Sequence, residues 1–260
     1  MSYEKLINDK EHSFSSLDLY DKCPYAFYKK YIEKDKDVAQ NFFAANGSAM
    51  HKVFEHLLKK KITLAEAPEL YEEEYSYIDS IASQKTMDTI YEKCMDYLCE
   101  VDDIDPKYEI VGVELNLHFK IGGYKFTGFV DLLLKNKETG EILLVDHKSS
   151  DHFLKKDGTP LKNSLDSFLS YKRQMYLYCK GLKDCMGLDV DKIVWHHFKD
   201  GGKLTVIPFM QKELEETMKW AVDTIEKIKK DDTFESNRSF MMCSKLCDYR
   251  FNCEYLSEEE

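Results

Sequence analysis

The chain has 260 residues, 43% of them hydrophobic and 33% charged, which is typical of a globular protein with a buried core. Its apolar runs fall far short of the roughly 20 residues that span a membrane, and residues 1–16 contain no apolar segment typical of a signal peptide. We therefore expect a cytoplasmic protein whose eight cysteines do not form a disulfide framework. The net charge of −11 excludes a broad basic face for nucleic acid, so DNA binding would need a local groove or a partner's basic surface.

The first part of the chain is predicted to be helical. In residues 15–31 apolar side chains recur at helical spacing, but Pro24 has no backbone N–H to donate and interrupts the run. The pattern therefore predicts two short helices, with Cys23 between them and Pro24 opening the second. Two further helical stretches are expected, at residues 46–61 and roughly 68–100.

After residue 110 the period of the sequence changes to two. A strand with one apolar face is predicted by alternating side chains, namely Val111, Val113, Leu115, Leu117 and Phe119. Gly122-Gly123 signals a hairpin turn. The later predicted elements are strands at 124–135 and 141–150, a helix at 164–184, strands at 191–198 and 203–208, and a helix at 210–230. This order predicts an α/β fold with a mixed central sheet flanked by helices.

A carboxylate and an amine stand side by side at the end of the third predicted strand. Because side chains alternate along a strand, Asp146 and Lys148 share one face and His147 points to the other. Asp131 on the preceding strand is a candidate second carboxylate, and two such groups on adjacent strands can hold Mg²⁺ or Mn²⁺ for attack on a phosphodiester. Lys148 would orient the attacking water or help to deprotonate it. The alternative is a salt bridge at the sheet edge, since the D-x-K pattern is short.

Other polar residues are candidates for the same site. Gln174 and Tyr178 are four residues apart on one face of a helix, with Tyr171 one turn earlier. They are placed to hydrogen-bond phosphates or the lysine, although such a stripe is also typical of core packing. His51 lies near the start of a helix that Gly47 opens, where a single histidine can equally be structural or exposed.

Five short motifs occur in one order along the chain. They are S-x-S-x-L-x-x-Y-x-x-C-P-x-x-F at Ser13–Phe27, GxxxH at Gly47–His51, GxxD at Gly128–Asp131, DxK at Asp146–Lys148 and QxxxY at Gln174–Tyr178. In this order they resemble the RecB-like branch of the PD-(D/E)xK nuclease superfamily, over about residues 13–253. The resemblance implies a restriction-endonuclease-like core and hydrolysis of DNA.

The resemblance also implies a metal site. His51, Asp131 and Asp146 would be ligands of Mg²⁺ or Mn²⁺, and His147 would add its backbone carbonyl. Glu114 matches a less regular acidic position of the family and faces away from the apolar side of its strand. It is therefore a candidate ligand of a second metal, and otherwise a solvated or ion-paired glutamate.

The same resemblance assigns the catalytic residues. Asp131 and Asp146 would act through the metal, and Lys148 would serve the attacking water. Gln174 and Tyr178 would organise the site or contact DNA.

Three cysteines, Cys243, Cys247 and Cys253, fall within eleven residues near the end of the sequence, which favours a metal or cluster site in a reducing compartment. Some members of the family that this sequence resembles hold a [4Fe–4S] cluster, with one cysteine before the nuclease motifs and three after them. By this resemblance Cys23 would be the cysteine that precedes the motifs. Zn²⁺ is the alternative occupant, and the spacing between Cys243 and Cys247 is one residue longer than is usual in the family. Without a metal these would be free cysteines in a flexible tail. The remaining cysteines are expected to be small buried hydrophobic residues: Cys94, Cys99, Cys179 and Cys185.

We expect residues 1–260 to form a single nuclease domain. Its core would cover about residues 40–230. The four-cysteine site would join an N-terminal segment, 13–36, to a C-terminal segment, 240–255, and close a long loop around the core.

Basic residues concentrate on both sides of the predicted site. They are Lys148, Lys155, Lys156, Lys162, Lys172 and Arg173 on one side, and Lys22, Lys29, Lys30, Lys34 and Lys36 on the other. They predict a narrow basic DNA channel and a steep loss of activity with salt, unless they form an ordinary solvated face. Phe153 and the tyrosines of residues 20–31 are expected to stack on the bases of a single strand.

The resulting functional hypothesis is a divalent-metal-dependent DNA nuclease, most simply an exonuclease of DNA repair, recombination, or phage or CRISPR DNA processing. The sequence has no Walker A loop, so any unwinding would need a helicase or recombination partner. Two alternatives remain open at this point. One is a non-catalytic DNA-binding subunit that retains the nuclease fold, and the other is a zinc-stapled interaction protein.

Overall fold

Five β-strands form one mixed sheet in the computed structural model, which describes residues 3–38, 41–78, 82–155, 158–239 and 242–256. In chain order and side by side, they are β1 (Tyr108–Ile121), β2 (Tyr124–Asn136), β3 (Ile142–Lys148), β4 (Lys192–His197) and β5 (Lys203–Pro208). The β3–β4 pair is parallel and the other three pairs are antiparallel. A parallel pair needs a crossover connection, and a helix supplies it here. The predicted α/β fold with a mixed central sheet is confirmed.

The described part of the chain also contains α-helices on both faces of the sheet. They are α1 (Glu4–Asp9), α2 (Phe14–Lys22), α3 (Pro24–Phe27), α4 (Phe42–Leu58), α5 (Ala67–Ser76), α6 (Gln84–Glu100), α7 (Leu165–Met186) and α8 (Gln211–Lys230). Short 3₁₀ or π-helical turns lie at Tyr28–Glu33, Leu64–Glu66, Lys162–Ser164, Phe198–Asp200, Met242–Leu246 and Glu254–Leu256. None of the helices in the described ranges is both long and apolar enough to cross a bilayer.

The N-terminal helices form as their local sequence predicts. The Ser13 hydroxyl accepts a hydrogen bond from the Ser16 backbone N–H at 3.2 Å, and the Ser16 hydroxyl accepts one from the Ser13 N–H at 3.1 Å. This reciprocal cap starts α2. Cys23 is extended between α2 and α3, and Pro24 occupies the first turn of α3, where its missing N–H costs nothing.

The main hydrophobic core lies between the sheet and α7. α7 packs against β1 and β2, and α2 and α8 pack against α7. Val130, Met175 and Trp195 are completely buried in this layer. α4, α5 and α6 form a second cluster around the fully buried Tyr71, so α4 is held rigidly beside the sheet.

The helical stretch predicted at 68–100 is two helices. α5 ends at Ser76 and α6 begins at Gln84. The Ser83 hydroxyl accepts a hydrogen bond from the Thr86 N–H at 3.3 Å and so caps α6.

β1 does not present the single apolar face that its alternation predicts. Leu115 and Leu117 pack towards α7, whereas Val113 packs on the opposite face of the sheet. The register shifts between Ile110 and Gly112, and Glu114 has a left-handed backbone with φ +53°. Because side chains alternate along a strand, each irregular residue turns the side chains beyond it to the other face.

Candidate active site

A cleft of about 590 Å³ opens beside α4, at the end of the β2–β3 pair. All of the predicted site residues outside the cysteine motif line it. The lining residues are Phe43, Ala44, Gly47, Ser48, His51, Lys52, Glu55, Glu114, Phe129, Asp131, Asp146, His147, Lys148, Ser149, Gln174 and Tyr178.

The cleft exists because β2 and β3 stop pairing at this point. Their ladder ends with Leu132 opposite Val145. Beyond it, the His147 backbone N–H donates to the Asp131 carboxylate Oδ2 at 2.7 Å instead of to a β2 carbonyl. Asp131 is 8% exposed and Asp146 is 3% exposed, so both carboxylates lie deep in the cleft.

Three groups of metal-ligand type meet in this cleft. His51, Glu114 and Asp131 each contribute one ligand atom, and these atoms lie within 4.8 Å of one another. His51 Nδ1 is 3.5 Å from Asp131 Oδ1, and His51 Nε2 is 3.0 Å from the backbone carbonyl of His147. Burial lowers the pKa of His51, but the hydrogen bond and charge of Asp131 outweigh it and the pKa is raised.

Glu114 belongs to this group, although the sequence indicated a metal-binding role for it only weakly. Its left-handed backbone lies opposite Asp131 in the β1–β2 pair, where the ladder skips both residues. Burial, followed by the negative charge of Asp131, raises the pKa of Glu114 to about 7. For Asp131 burial also acts to raise the pKa, but the hydrogen bond and charge of His51 prevail and lower it to about 2.

Asp146 is paired with the lysine of its own motif. Its Oδ2 lies 2.8 Å from Lys148 Nζ. Burial raises the pKa of Asp146 to about 6 against the opposing effect of Lys148. Burial lowers the pKa of Lys148, but Asp146 more than reverses this, so that the pKa is raised and the amine is cationic at neutral pH.

A chain of contacts holds the Lys148 amine from the side of α7. Lys148 Nζ donates to Gln174 Oε1 at 3.0 Å, and Gln174 Nε2 donates to the Tyr178 hydroxyl at 2.9 Å. The amine also lies 4.5 Å from the centre of the Tyr171 ring. Gly128 in β2 leaves room for Tyr178, since a Cβ there would come within 2.5 Å of the Tyr178 ring. The GxxD and QxxxY motifs therefore meet in space, which short-range spacing did not predict.

The imidazole of His147 points away from the cleft residues Asp146 and Lys148, as strand alternation predicts. It lies against the Phe54 ring, with centroids 4.4 Å apart, and His147 Nδ1 is 2.8 Å from His196 Nδ1. Burial, followed by the neighbouring His196, holds the pKa of His147 well below its usual value. The group of metal-ligand type that His147 offers in the cleft is therefore its backbone carbonyl and not its imidazole.

The four cysteines of the predicted cluster motif line one small, apolar pocket. Cys23 reaches it from the N-terminal helices, and Cys243, Cys247 and Cys253 reach it from the C-terminal segment. Within the described residues, the close group of three potential metal-ligand side chains is the one in the cleft, and the cysteines do not form another.

Two of the other four cysteines are not buried as predicted. Cys94 and Cys179 are buried in the core, but Cys99 and Cys185 are exposed. Cys99 lies in α6 and Cys185 in α7, and helical periodicity alone did not distinguish the exposed faces of these helices from the buried ones.

Two members of the predicted stacking platform, Phe153 and Tyr20, are not available to bases. Phe153 is 1% exposed and packs in the main core, against Trp195 among others. Tyr20 is also buried, and its hydroxyl donates to Asp231. The loop after β3 folds back over the sheet, so the side chain that follows the active-site strand is used for packing.

Local ion pairs reduce the positive charge of the predicted basic channel. Each of the following basic residues lies within 4.0 Å of a carboxylate: Lys22, Lys29, Lys30, Lys148, Lys172 and Arg173. Lys156 lies outside the described residues. Paired charges give a weaker field than the basic residues counted alone would suggest.

Comparisons with known proteins bear on the fold and the family of the chain. A search of curated proteins found no match. The crystal structure of a "Putative exonuclease" from Eubacterium rectale is 15% identical, covers 95% of this chain and 90% of its own, and superimposes with a TM-score of 0.51, which shows a shared fold. The crystal structure of SSO0001 is 18% identical and covers 88% of this chain and 95% of its own, but its TM-score of 0.34 is too low to show a shared fold. The model of the PD-(D/E)XK nuclease superfamily matches residues 11–254. The chain therefore belongs to the PD-(D/E)XK nuclease superfamily.

Proposed function

We propose that this protein is a divalent-metal-dependent deoxyribonuclease. The observation that carries the proposal is the convergence of His51, Glu114, Asp131, Asp146 and Lys148 in one cleft between β2, β3 and α4. No acidic residue or lysine of the family motifs is missing. This completeness favours an enzyme over a non-catalytic subunit that retains the fold.

The residues of the cleft fit a hard divalent cation. Mg²⁺ and Mn²⁺ prefer oxygen ligands, and the carboxylates of Asp131, Asp146 and Glu114 offer them together with the His147 carbonyl. His51 would add a nitrogen ligand. When bound, the cation would polarise the phosphate and increase the acidity of a water molecule.

Lys148 is proposed to act as a fixed cationic donor. Asp146 keeps it protonated and Gln174 fixes its direction. From this position the amine can donate a hydrogen bond to the attacking water and offset negative charge on the scissile phosphate. Its raised pKa argues against a role as the base in the resting protein.

We further propose exonuclease action by one domain over residues 1–260. Support comes from the shared fold with the E. rectale protein, whose name includes "exonuclease". A role in DNA repair, recombination, or phage or CRISPR DNA processing, with a helicase or recombination partner, belongs to the same proposal.

We also propose that Cys23, Cys243, Cys247 and Cys253 hold a [4Fe–4S] cluster, as in the iron–sulfur members of the RecB-like branch. Four thiols around an apolar pocket are a suitable ligand set. A tetrahedral Zn²⁺ with Zn–S bonds of about 2.3 Å would hold its sulfurs about 3.8 Å apart. Zn²⁺ at the same four thiols is the alternative, and metal and sulfide analysis separates the two.

The nuclease proposal is tested by degradation of end-labelled single- and double-stranded DNA with Mn²⁺, Mg²⁺ or EDTA. Asp146→Asn keeps the size of the side chain but removes a ligand charge, and Lys148→Met removes the amine. Each is expected to lower the cleavage rate by about 100-fold or more, in the range of a lost catalytic group. Closed circular DNA should resist the enzyme if it needs an end.

Matched controls are Asp189→Asn and Lys212→Met, whose side chains are 79% and 82% exposed. Both should keep full activity. Circular dichroism must show that all four variants are folded. A folded wild-type protein that cleaves no DNA with either metal would instead support the non-catalytic subunit.

A further inference from the structure

Two exposed phenylalanines stand on the rim of the active-site cleft. Phe129 is 53% exposed and Phe43 is 37% exposed, and both line the cleft. The other exposed aromatic side chains of the described residues, Tyr77 and Phe251, lie outside the cleft lining. Two of these four exposed aromatic side chains therefore lie beside the proposed catalytic groups.

Strand geometry places Phe129 next to the metal-ligand group. Phe129 lies two residues before Asp131 in β2, about 7 Å along the strand, and both side chains line the cleft. The intervening Val130 points to the main core. Phe129 is thus held by a strand whose opposite face is firmly packed.

Helix geometry places Phe43 in line with His51. Phe43, Gly47 and His51 are spaced four residues apart in α4, so they share one face over about 12 Å of helix axis. The Phe43 ring packs edge-on against the buried Phe42, with centroids 5.8 Å apart. No atom lies within 4 Å of where a Gly47 Cβ would be, so the helix surface between the two side chains is open.

The charges that line the cleft favour an uncharged contact with DNA. Its acidic lining residues are Glu55, Glu114, Asp131 and Asp146, and its basic ones are Lys52 and Lys148. Lys52 is itself 2.5 Å from Glu74, and Lys148 is paired with Asp146. Protein charges in the cleft therefore offer a DNA strand little net attraction, and base stacking does not depend on charge.

We propose that Phe129 and Phe43 stack on unpaired nucleobases on either side of the scissile phosphate, so that the preferred substrate is single-stranded DNA or a frayed end. This rests on the proposed nuclease function and names its substrate class. The faces of bases inside a duplex are already stacked on one another and are not available to these rings. Any base has a face to stack, so the preference is for unpaired DNA and not for a sequence.

The test is equilibrium binding measured by fluorescence anisotropy, with Ca²⁺ as the cation. Three labelled ligands of equal length are compared: an oligothymidylate, a blunt duplex and an abasic single strand. The wild-type protein should bind the oligothymidylate more tightly than the abasic strand, by about 5- to 150-fold for each of the two stacked bases. Phe129→Leu and Phe43→Leu keep an apolar side chain but should each lose the contribution of one stacked base, with abasic binding unchanged.

Phe251→Leu is the matched control, because Phe251 is 66% exposed but does not line the cleft. It should bind all three ligands like the wild type. Gly47→Leu should weaken binding of the oligothymidylate, because the leucine side chain would fill the open helix surface between Phe43 and His51. Equal wild-type affinity for abasic and base-bearing strands would overturn the proposal, and this comparison needs no variant to fold.

Hydrolysis with Mn²⁺ is measured in parallel on the same proteins. Hydrolysis without any base-dependent binding would refute the stacking proposal and leave the nuclease proposal intact. Base-dependent binding without hydrolysis would refute the nuclease proposal and leave stacking intact.

Discussion

At the residue scale, the position of one amine depends on a glycine in a different element. Gly128 makes room for Tyr178, the Tyr178 hydroxyl accepts from Gln174, and Gln174 accepts from Lys148. Each contact is ordinary, but together they fix Lys148 between α7 and Asp146. A strand glycine, normally a weak point, is here required by the close approach of a ring.

Gly128→Ala is therefore expected to impair catalysis without removing any polar group. The new Cβ would come within 2.5 Å of Tyr178, so the ring must move and take Gln174 with it. We expect kcat to fall about 10-fold or more, and the free energy of unfolding to fall by about 1–3 kcal/mol, as for other overpacked sites.

Steady-state cleavage assays and urea unfolding would measure the two effects. Lys125→Ala, at an exposed position of the same strand, is the matched control and should change neither quantity. If Gly128→Ala kept the wild-type kcat, the ring contact would have no part in positioning Lys148.

At the element scale, β1 carries strain at the site. Glu114 has a left-handed backbone, which a glutamate adopts at a cost, and its partly buried carboxylate faces Asp131. In this conformation the carboxylate lies beside His51 and Asp131. The irregular strand thus exchanges local stability for the placement of a third group in the proposed metal site.

Replacing Glu114 should increase stability and weaken metal binding. Glu114→Asn removes the charge and suits a left-handed backbone, whereas Glu114→Gln removes the charge alone. At pH 8 we expect Glu114→Asn to raise the free energy of unfolding by about 1–3 kcal/mol and to weaken Mn²⁺ binding about 10-fold or more.

The pH dependence separates charge from strain. The pKa of Glu114 is raised from 4.5 to about 7 in the folded protein, so the wild type loses stability as pH rises through this range. The advantage of Glu114→Gln should therefore be absent below pH 4.5, grow between pH 4.5 and about 7, and be complete above about pH 7. Urea unfolding at several pH values and Mn²⁺ calorimetry measure these changes, and an advantage independent of pH would show that the carboxylate charge has no part in it.

At the scale of the whole molecule, the cysteine pocket joins the two ends of the described chain. Cys23 and Cys243 are 220 residues apart in sequence and line the same pocket. A bound group at this point would close a loop around the whole nuclease core. Loop closure constrains the unfolded chain, and binding free energy at such a site adds to folding free energy.

Loss of one thiol should therefore destabilise the whole protein. Anaerobically purified wild type is expected to contain iron and acid-labile sulfide, and Cys253→Ser to lose both and several kcal/mol of unfolding free energy. Metal analysis, absorbance and thermal unfolding would show this. Cys185→Ser, which changes an exposed cysteine outside the pocket, is the control. Zinc without sulfide in the wild type would refute the iron–sulfur proposal.

The sequence by itself determined the elements and the set of candidate groups. Pro24 separates α2 from α3 because it lacks an N–H, and alternation places Asp146 and Lys148 on one face of β3. These properties depend only on neighbours along the chain. The order of the motifs then assigned roles to His51, Asp131 and Gln174 by resemblance, and added Cys23 to the three cysteines near the end of the sequence.

Only the tertiary structure decided which of these groups meet and which side chains remain exposed. Phe153 was expected to contact bases and is buried, whereas Phe129 is exposed on the cleft rim. Glu114 joins His51 and Asp131 through an irregular strand that strict alternation does not predict. The physical reason is that periodicity defines the faces of a helix or strand, but exposure and proximity depend on which distant element packs against each face.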